Sequence, residues 1–134
     1  PCFNDVEEGL KSIKNSGHRL FAFSNGSTSA VNNLLSNAKI MHLFDGVVSV
    51  ESTKTYKPNP IVYEHFNKET KSTKSNSLLV SSNSFDVIGA TSYGMKSAWL
   101  QRKPTDIFDP WGIEPTITIN KLTDLTTTVN SLGL

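Results

Sequence analysis

The sequence predicts a doubly wound α/β fold, a Rossmann-like parallel sheet covered by helices on both faces, and three observations carry that reading. Short, uniformly apolar runs of strand length recur at 19–23, 46–50, 78–80 and 96–100. They alternate with stretches of helical periodicity, and the first and third runs close on small polar residues that turn a strand into a helix. Strands that are apolar throughout must be covered on both faces. The helices between them supply right-handed crossovers, so the strands run parallel.

Each element follows in order. From Asn4 or Asp5 to Ser16, the apolar residues Val6, Leu10 and Ile13 recur at helical spacing behind an N-cap residue, and Gly17 is the stop signal. Residues 19–23 form the first strand and Ser24-Asn25-Gly26 the tight turn out of it. The second helix places Ala30, Val31, Leu34, Leu35 and Ala38 on its apolar side. After the strand at 46–50, a helix from Pro60 to about Thr70 has proline in its first turn and faces Ile61 and Phe66 inward. Residues 70–76 read as a loop, 78–80 as the third strand and 86–93 as a helix stopped by Gly94. The fourth strand occupies 96–100, a short fifth 116–119, and a last helix 122–132 carries threonines that are poor helix formers.

A chain of 134 residues suffices for one domain, taken as 1–134. With 37% hydrophobic residues and 13 basic against 12 acidic groups, it reads as a globule with no field to attract nucleic acid. No apolar run approaches the roughly 20 residues that cross a bilayer, and no basic leader precedes an apolar segment. The expectation is a cytoplasmic protein with neither a membrane nor a nucleic-acid partner. Cys2 is the lone cysteine, so it completes no internal disulfide or metal cluster and reads as an inert residue.

In doubly wound sheets, ligands bind beyond the carboxyl ends of the strands. Three groups of polar residues stand there. Ser24 and Asn25 offer a hydroxyl and an amide before a helix start, a combination suited to a carboxylate, phosphate or halide, although a plain helix cap explains them as well. Lys57, between Tyr56 and Pro58, places an ammonium where it can reach across the strand ends; taken alone it is a solvated lysine. Ser81, Ser82, Asn83 and Asp86 crowd the third strand's end. The helix dipole accounts for the acid but not for the crowding.

The ordered set Phe23-Ser24-Asn25-Gly26, Tyr56-Lys57-Pro58 with Tyr63, and the run from Val80 to Ala90 resembles the second, third and fourth motifs of the haloacid dehalogenase superfamily. Its Ser81-Ser82-Asn83 segment is similar to that of the L-2-haloacid dehalogenases in particular. The likeness covers nearly the whole chain, including Leu43-Phe44-Asp45 and Trp99. It implies a hydrolase acting on carbon–halide bonds, in which an aspartate displaces halide from a short 2-haloacid and water then opens the ester. By the same resemblance, Ser24 holds the substrate carboxylate, Asn25 receives the halide, and Lys57 steadies the attacking carboxylate. Asn83 and Asp86 then orient and activate water, Ser81 and Tyr63 complete the polar network, and Phe85 supplies apolar wall. Ser82 is left as a structural neighbour, and His18, His42 and His65 match no motif position.

Phosphatases of the superfamily carry two acids in the fourth motif to hold Mg²⁺. Here Ser82 takes the place of the first, so the resemblance implies neither metal nor cofactor. A phosphatase, or a non-catalytic anion-binding or interaction module, is the alternative reading. The family's first motif, an aspartate closing a central strand, has no counterpart: Asp5 opens a helix and follows no strand. Nor is the cap domain found. The expectation is a partial core whose partners are a small 2-haloacid or related carboxylate and a missing N-terminal segment or second chain, with a homodimer also compatible. The strands ending at Phe23 and Val80 should then flank an open position without pairing.

Overall fold

The computed structural model describes residues 4–108 and 112–134. Cys2 lies outside them. Five strands are formed: β1 (Phe21–Ser24), β2 (Gly46–Ser49), β3 (Leu78–Ser81), β4 (Lys96–Leu100) and β5 (Ile117–Ile119). The helices are α1 (Asp5–Asn15), α2 (Thr28–Asn37), α3 (Pro60–Thr70), α4 (Ser84–Tyr93) and α5 (Leu125–Ser131). Short 3₁₀ turns at Met41–Leu43, Glu51–Thr53, Lys74–Asn76 and Leu122–Asp124 join them. The fold is α/β, as the alternation of apolar runs and helical stretches requires.

All observed strand pairings are parallel, and they fall into two sheets. β1 pairs with β2 in register Phe21 to Gly46, while β3, β4 and β5 form the second sheet with Leu78 opposite Lys96 and Ala98 opposite Ile117. β1 and β3 do not pair, as expected. Helices join the halves instead. On one face, α1 packs Leu10 with Ile40 and Leu43, and one turn later it packs Ile13 with Ala98, Leu100 and Ile119 of the other sheet. On the opposite face, α3 and α4 bring Val62, Tyr63 and Val87 into one cluster with Val50 and Leu79. A cavity of about 680 Å³ lies between the two sheets.

Most elements begin and end within a residue or two of their sequence signals. Asn59 caps α3, its side chain accepting from Ile61 N, and Pro60 follows in the first turn; Gly94, at φ 111°, closes α4. Two side-chain directions differ from expectation. Leu34 is 69% and Ile61 54% exposed, and Ala30 is exposed with them. In α2 the inward line is Val31, Leu35 and Ala38, one residue per turn, which puts residues 30 and 34 outside it. In α3 the buried line runs through Val62, Tyr63, Asn67 and Thr70, so Ile61 turns outward. The last helix is split, with a 3₁₀ turn before α5.

The start of α1 also departs from a simple cap. Asn4 makes no side-chain cap bond. Asp5 instead takes the Arg102 guanidinium at 2.6 and 2.7 Å and the Leu122 backbone N–H at 2.5 Å, fastening α1 to the C-terminal third of the chain. Burial pushes the Asp5 carboxyl upward, but the Leu122 N–H and the Arg102 charge more than offset that and hold it below the ordinary range. A group so shifted contributes stability that is present above its unfolded pKa and lost as pH falls through the folded one. Asp5→Asn should therefore lower the melting temperature at pH 7, with the difference from the parent closing below about pH 4 in a series of thermal melts.

Four residues further along α1, a methyl built on Gly9 would lie 2.6 Å from the Leu122 carbonyl carbon and oxygen. Alanine raises helix propensity by about 1 kcal/mol over glycine. The clash should win: Gly9→Ala is expected to lose about 1–3 kcal/mol in urea unfolding, and a stabilised variant would show that α1 stands off from Leu122.

Candidate active site

The carboxyl ends of β1 and β3 are joined through one lysine. Lys57 reaches the site on the loop between β2 and α3, next to a cis Lys57–Pro58 peptide bond. Its backbone N–H donates to Asn25 Oδ1 at 3.0 Å, locking this loop to the turn that follows β1. Its Nζ donates to the Phe23 carbonyl at 2.9 Å and to Asp86 Oδ2 at 2.8 Å, and stands 4.2 Å from the Phe23 ring centroid. Only 12% of the lysine and 9% of the aspartate side chain are exposed. An ion pair so buried is held by hydrogen bonds on both partners rather than by solvent.

Asp86 is served from behind by Tyr63. The fully buried phenol donates toward Asp86 Oδ1 at 2.8 Å, with the Asp86 carbonyl at 3.0 Å. Burial first, and then the Asp86 charge and hydrogen bond, push the phenol far above its usual range, so it remains a donor. The approach depends on Gly89: a methyl there would sit 2.6 Å from the Tyr63 Oη and 2.7 Å from Pro58 Cβ. Tyr63 thus stands behind the carboxylate, out of reach of a ligand in the cavity.

The turns at the strand ends hold themselves. Ser24 Oγ accepts from Gly26 N at 2.9 Å, and Ser49 Oγ donates to Gly26 O at 2.7 Å. Ser81 Oγ accepts from Asn83 N at 3.0 Å, and Asn83 caps α4 by accepting from Phe85 N at 3.0 Å. The Trp99 indole donates to Ser82 O at 3.1 Å. Lys57, Asp86, Ser81 and Ser82 border the cavity; Ser24, Asn25, Asn83 and the half-exposed Phe85 lie around this end without lining it. The structure therefore gathers the sequence candidates at one end of the sheet, in two tiers.

Sequence reasoning passed over Phe23, Ser49 and Gly89 as functional positions and left Ser82 aside. Phe23 acts through a carbonyl and a ring beneath a cation, for which no sequence pattern exists. Gly89 carried a signal, because glycine inside an apolar helix marks close approach of another group. Among the described residues, no three His, Cys, Asp or Glu side chains are grouped to hold a metal ion, and no helix is long and apolar enough to cross a membrane.

A family profile described as haloacid dehalogenase-like hydrolase matches residues 1–100, and the chain belongs to that family. Haloacetate dehalogenase H-2 of Moraxella sp. (strain B) is 33% identical over 117 residues, covering 87% of this chain and 52% of the relative. (S)-2-haloacid dehalogenase 2 of Pseudomonas sp. (strain CBS-3) is 31% identical over 128 residues, covering 96% and 56%. The L-2-haloacid dehalogenase from Xanthobacter autotrophicus with chloropropionic acid covalently bound superposes with a TM-score of 0.90 at 24% identity. That match covers 96% of this chain and 60% of the other, and it establishes the shared fold. The chain spans just over half the length of these curated relatives.

Removing the Tyr63 hydroxyl tests the support behind Asp86. Tyr63→Phe should cost about 1–3 kcal/mol, because a buried carboxylate oxygen loses its donor. The raised phenol pKa sets the pH window. Its contribution is complete below the unfolded value near 10 and is lost as pH rises beyond it, so the stability gap between parent and variant should be flat up to about pH 10 and shrink above it.

Proposed function

We propose that this chain supplies the substrate-holding and water-positioning part of a hydrolase that converts a short L-2-haloacid to the 2-hydroxy acid and halide. The attacking carboxylate belongs to an aspartate outside these 134 residues. The single observation behind this reading is the Lys57 ammonium, held at the carboxyl end of the open position by Phe23 O and Asp86. A carboxylate arriving there meets a fixed positive charge that steadies it without a metal ion.

In the first step a carboxylate oxygen attacks C2 of the haloacid from the side opposite the halogen. The carbon–halogen bond breaks and halide leaves with the electron pair, giving an aspartyl ester with inverted configuration at C2. Asn25, its Oδ1 already bonded to Lys57 N, presents Nδ2 to the departing halide, and the Ser24 hydroxyl donates to the substrate carboxylate. In the second step, water oriented by Asn83 Nδ2 adds to the ester carbonyl while Asp86 takes its proton. The alkoxide leaves as the hydroxy acid and the aspartate is regenerated. Phe85, half exposed at the start of α4, provides apolar wall for the short alkyl group.

The experiment is halide release from L-2-chloropropionate. The isolated 134-residue chain should release none above buffer, while the same chain joined to its aspartate-bearing segment should turn over and keep its rate in EDTA. In the joined protein, Lys57→Met should reduce kcat by roughly 10²-fold or more, the scale of losing one fixed charge at a reacting centre. Turnover by the isolated chain would place the nucleophile within it. Activity that EDTA abolishes and Mg²⁺ restores would mark a phosphatase-type site instead.

A further inference from the structure

The space between the two sheets has the dimensions and chemistry of one absent strand. Phe21, Ala22 and Phe23 of β1 all border the same cavity, as do all four residues of β3. Side chains alternate across a strand, so a cavity on one face would meet every second residue. Meeting consecutive ones means that it runs along the strand edges. Backbone directions agree. The Leu20 and Ser24 carbonyls accept from Asp45 N at 2.7 Å and Val50 N at 3.2 Å on the β2 side. Alternation along a parallel strand then turns the peptide groups of Phe21 and Phe23 to the other side. There the Lys57 ammonium meets the Phe23 carbonyl.

β1 and β3 point the same way, because Lys57 bonds both the end of β1 and Asp86 just past the end of β3. Each is four residues long, about 13 Å at 3.3 Å per residue. Leu10 and Ile13 of α1 cover the cavity on one side and Phe66 of α3 on the other, so a strand seated there is buried on both faces.

We infer that this slot is a preformed receptor for one extended segment. The segment runs parallel to β1 and β3, pairs over four residues, is apolar on both faces and ends in a carboxylate beside Lys57; a separate polypeptide can supply it. The terminal carboxylate rests on the proposed hydrolase reading, whereas the pairing stands without it. Hydrogen bonds to two strand edges give such a segment affinity in the manner of strand addition, here between two sheets rather than at the margin of one.

The probe is the peptide acetyl-Glu-Ser-Val-Ile-Val-Ile-Asp-Ser-amide, added to the ¹⁵N-labelled 134-residue chain. A control peptide of the same sequence carries N-methyl groups on alternate central residues, which keeps the apolar surface and removes the N–H donors. Amide exchange at Phe21 and Phe23 should slow by at least about tenfold with the first peptide and not with the second. Should the chain alone lack dispersed amide signals, dispersion gained with the unmodified peptide only is the supporting result. Equal protection by both peptides would make the slot an apolar pocket and overturn the inference, as would binding of neither or a chain that neither peptide orders. Halide release is scored separately, with the peptide aspartate intact or replaced by asparagine. Strand binding without halide release from either counts against the hydrolase reading and leaves the slot standing.

Discussion

One ammonium ties the two sheets together where their strands end. Lys57 takes the last inward-facing carbonyl of β1 on one side and the carboxylate of Asp86, past the end of β3, on the other. Everything around it serves to hold that geometry. Asn25 clamps the lysine's own backbone, Asn59 and Pro60 start α3 directly after the loop, and α3 returns Tyr63 to the far side of Asp86. The glycine at position 89 lets α4 come close enough for that phenol to reach. A change at any of these positions moves the charge relative to the slot.

The energetics argue that this pair is placed for chemistry. Desolvating an ammonium and a carboxylate costs several kcal/mol each, and apolar side chains of similar volume would do as well or better for stability. The apolar packing that holds the halves together lies elsewhere, in Val62, Val87 and Leu79 on one face and in Ile13, Leu100 and Ile119 on the other. The pair sits where packing has least need of it, at the mouth of a cavity, and its net charge is zero until a further carboxylate arrives. It acts as a fixed positive centre kept in place by a carboxylate that is itself kept in place.

Much of the fold is legible in the sequence because burial on both faces writes itself as unbroken apolar runs, and because caps such as Asn59-Pro60 and Gly94 have few other uses. Side-chain directions within helices are less legible. Apolar residues at 30, 34 and 61 fit a helical stripe nearly as well as their neighbours do, and only the packed partner decides between lines about 100° apart, as Val31 and Val62 show. Long-range devices leave no local trace. The Asp5–Arg102 pair spans nearly the whole chain, and the approach of Gly9 to Leu122 depends on an element more than a hundred residues away. In the site, the ordered motifs identify Lys57, Asn83 and Asp86 as a group. Phe23 escapes because its contribution comes from a carbonyl and a ring face.

The bland and the functional readings of the small polar residues turn out to be the same reading. Each could be explained as a cap or turn former, and each is one. Ser24 Oγ accepts from Gly26 N, Ser81 Oγ from Asn83 N, Asn83 Oδ1 from Phe85 N, and Asn25 Oδ1 from Lys57 N. In every case the turn takes an acceptor from the side chain. What a hydroxyl or a carboxamide has left after that is donors: one O–H for each serine and two N–H groups for each asparagine. Local structure has thus converted four ambivalent groups into donors around one ammonium and a single carboxylate. A cluster of that kind discriminates by sign, favouring carboxylates, halides and oxygens that gain negative charge, and it does so because the turns that build it have already used its acceptors.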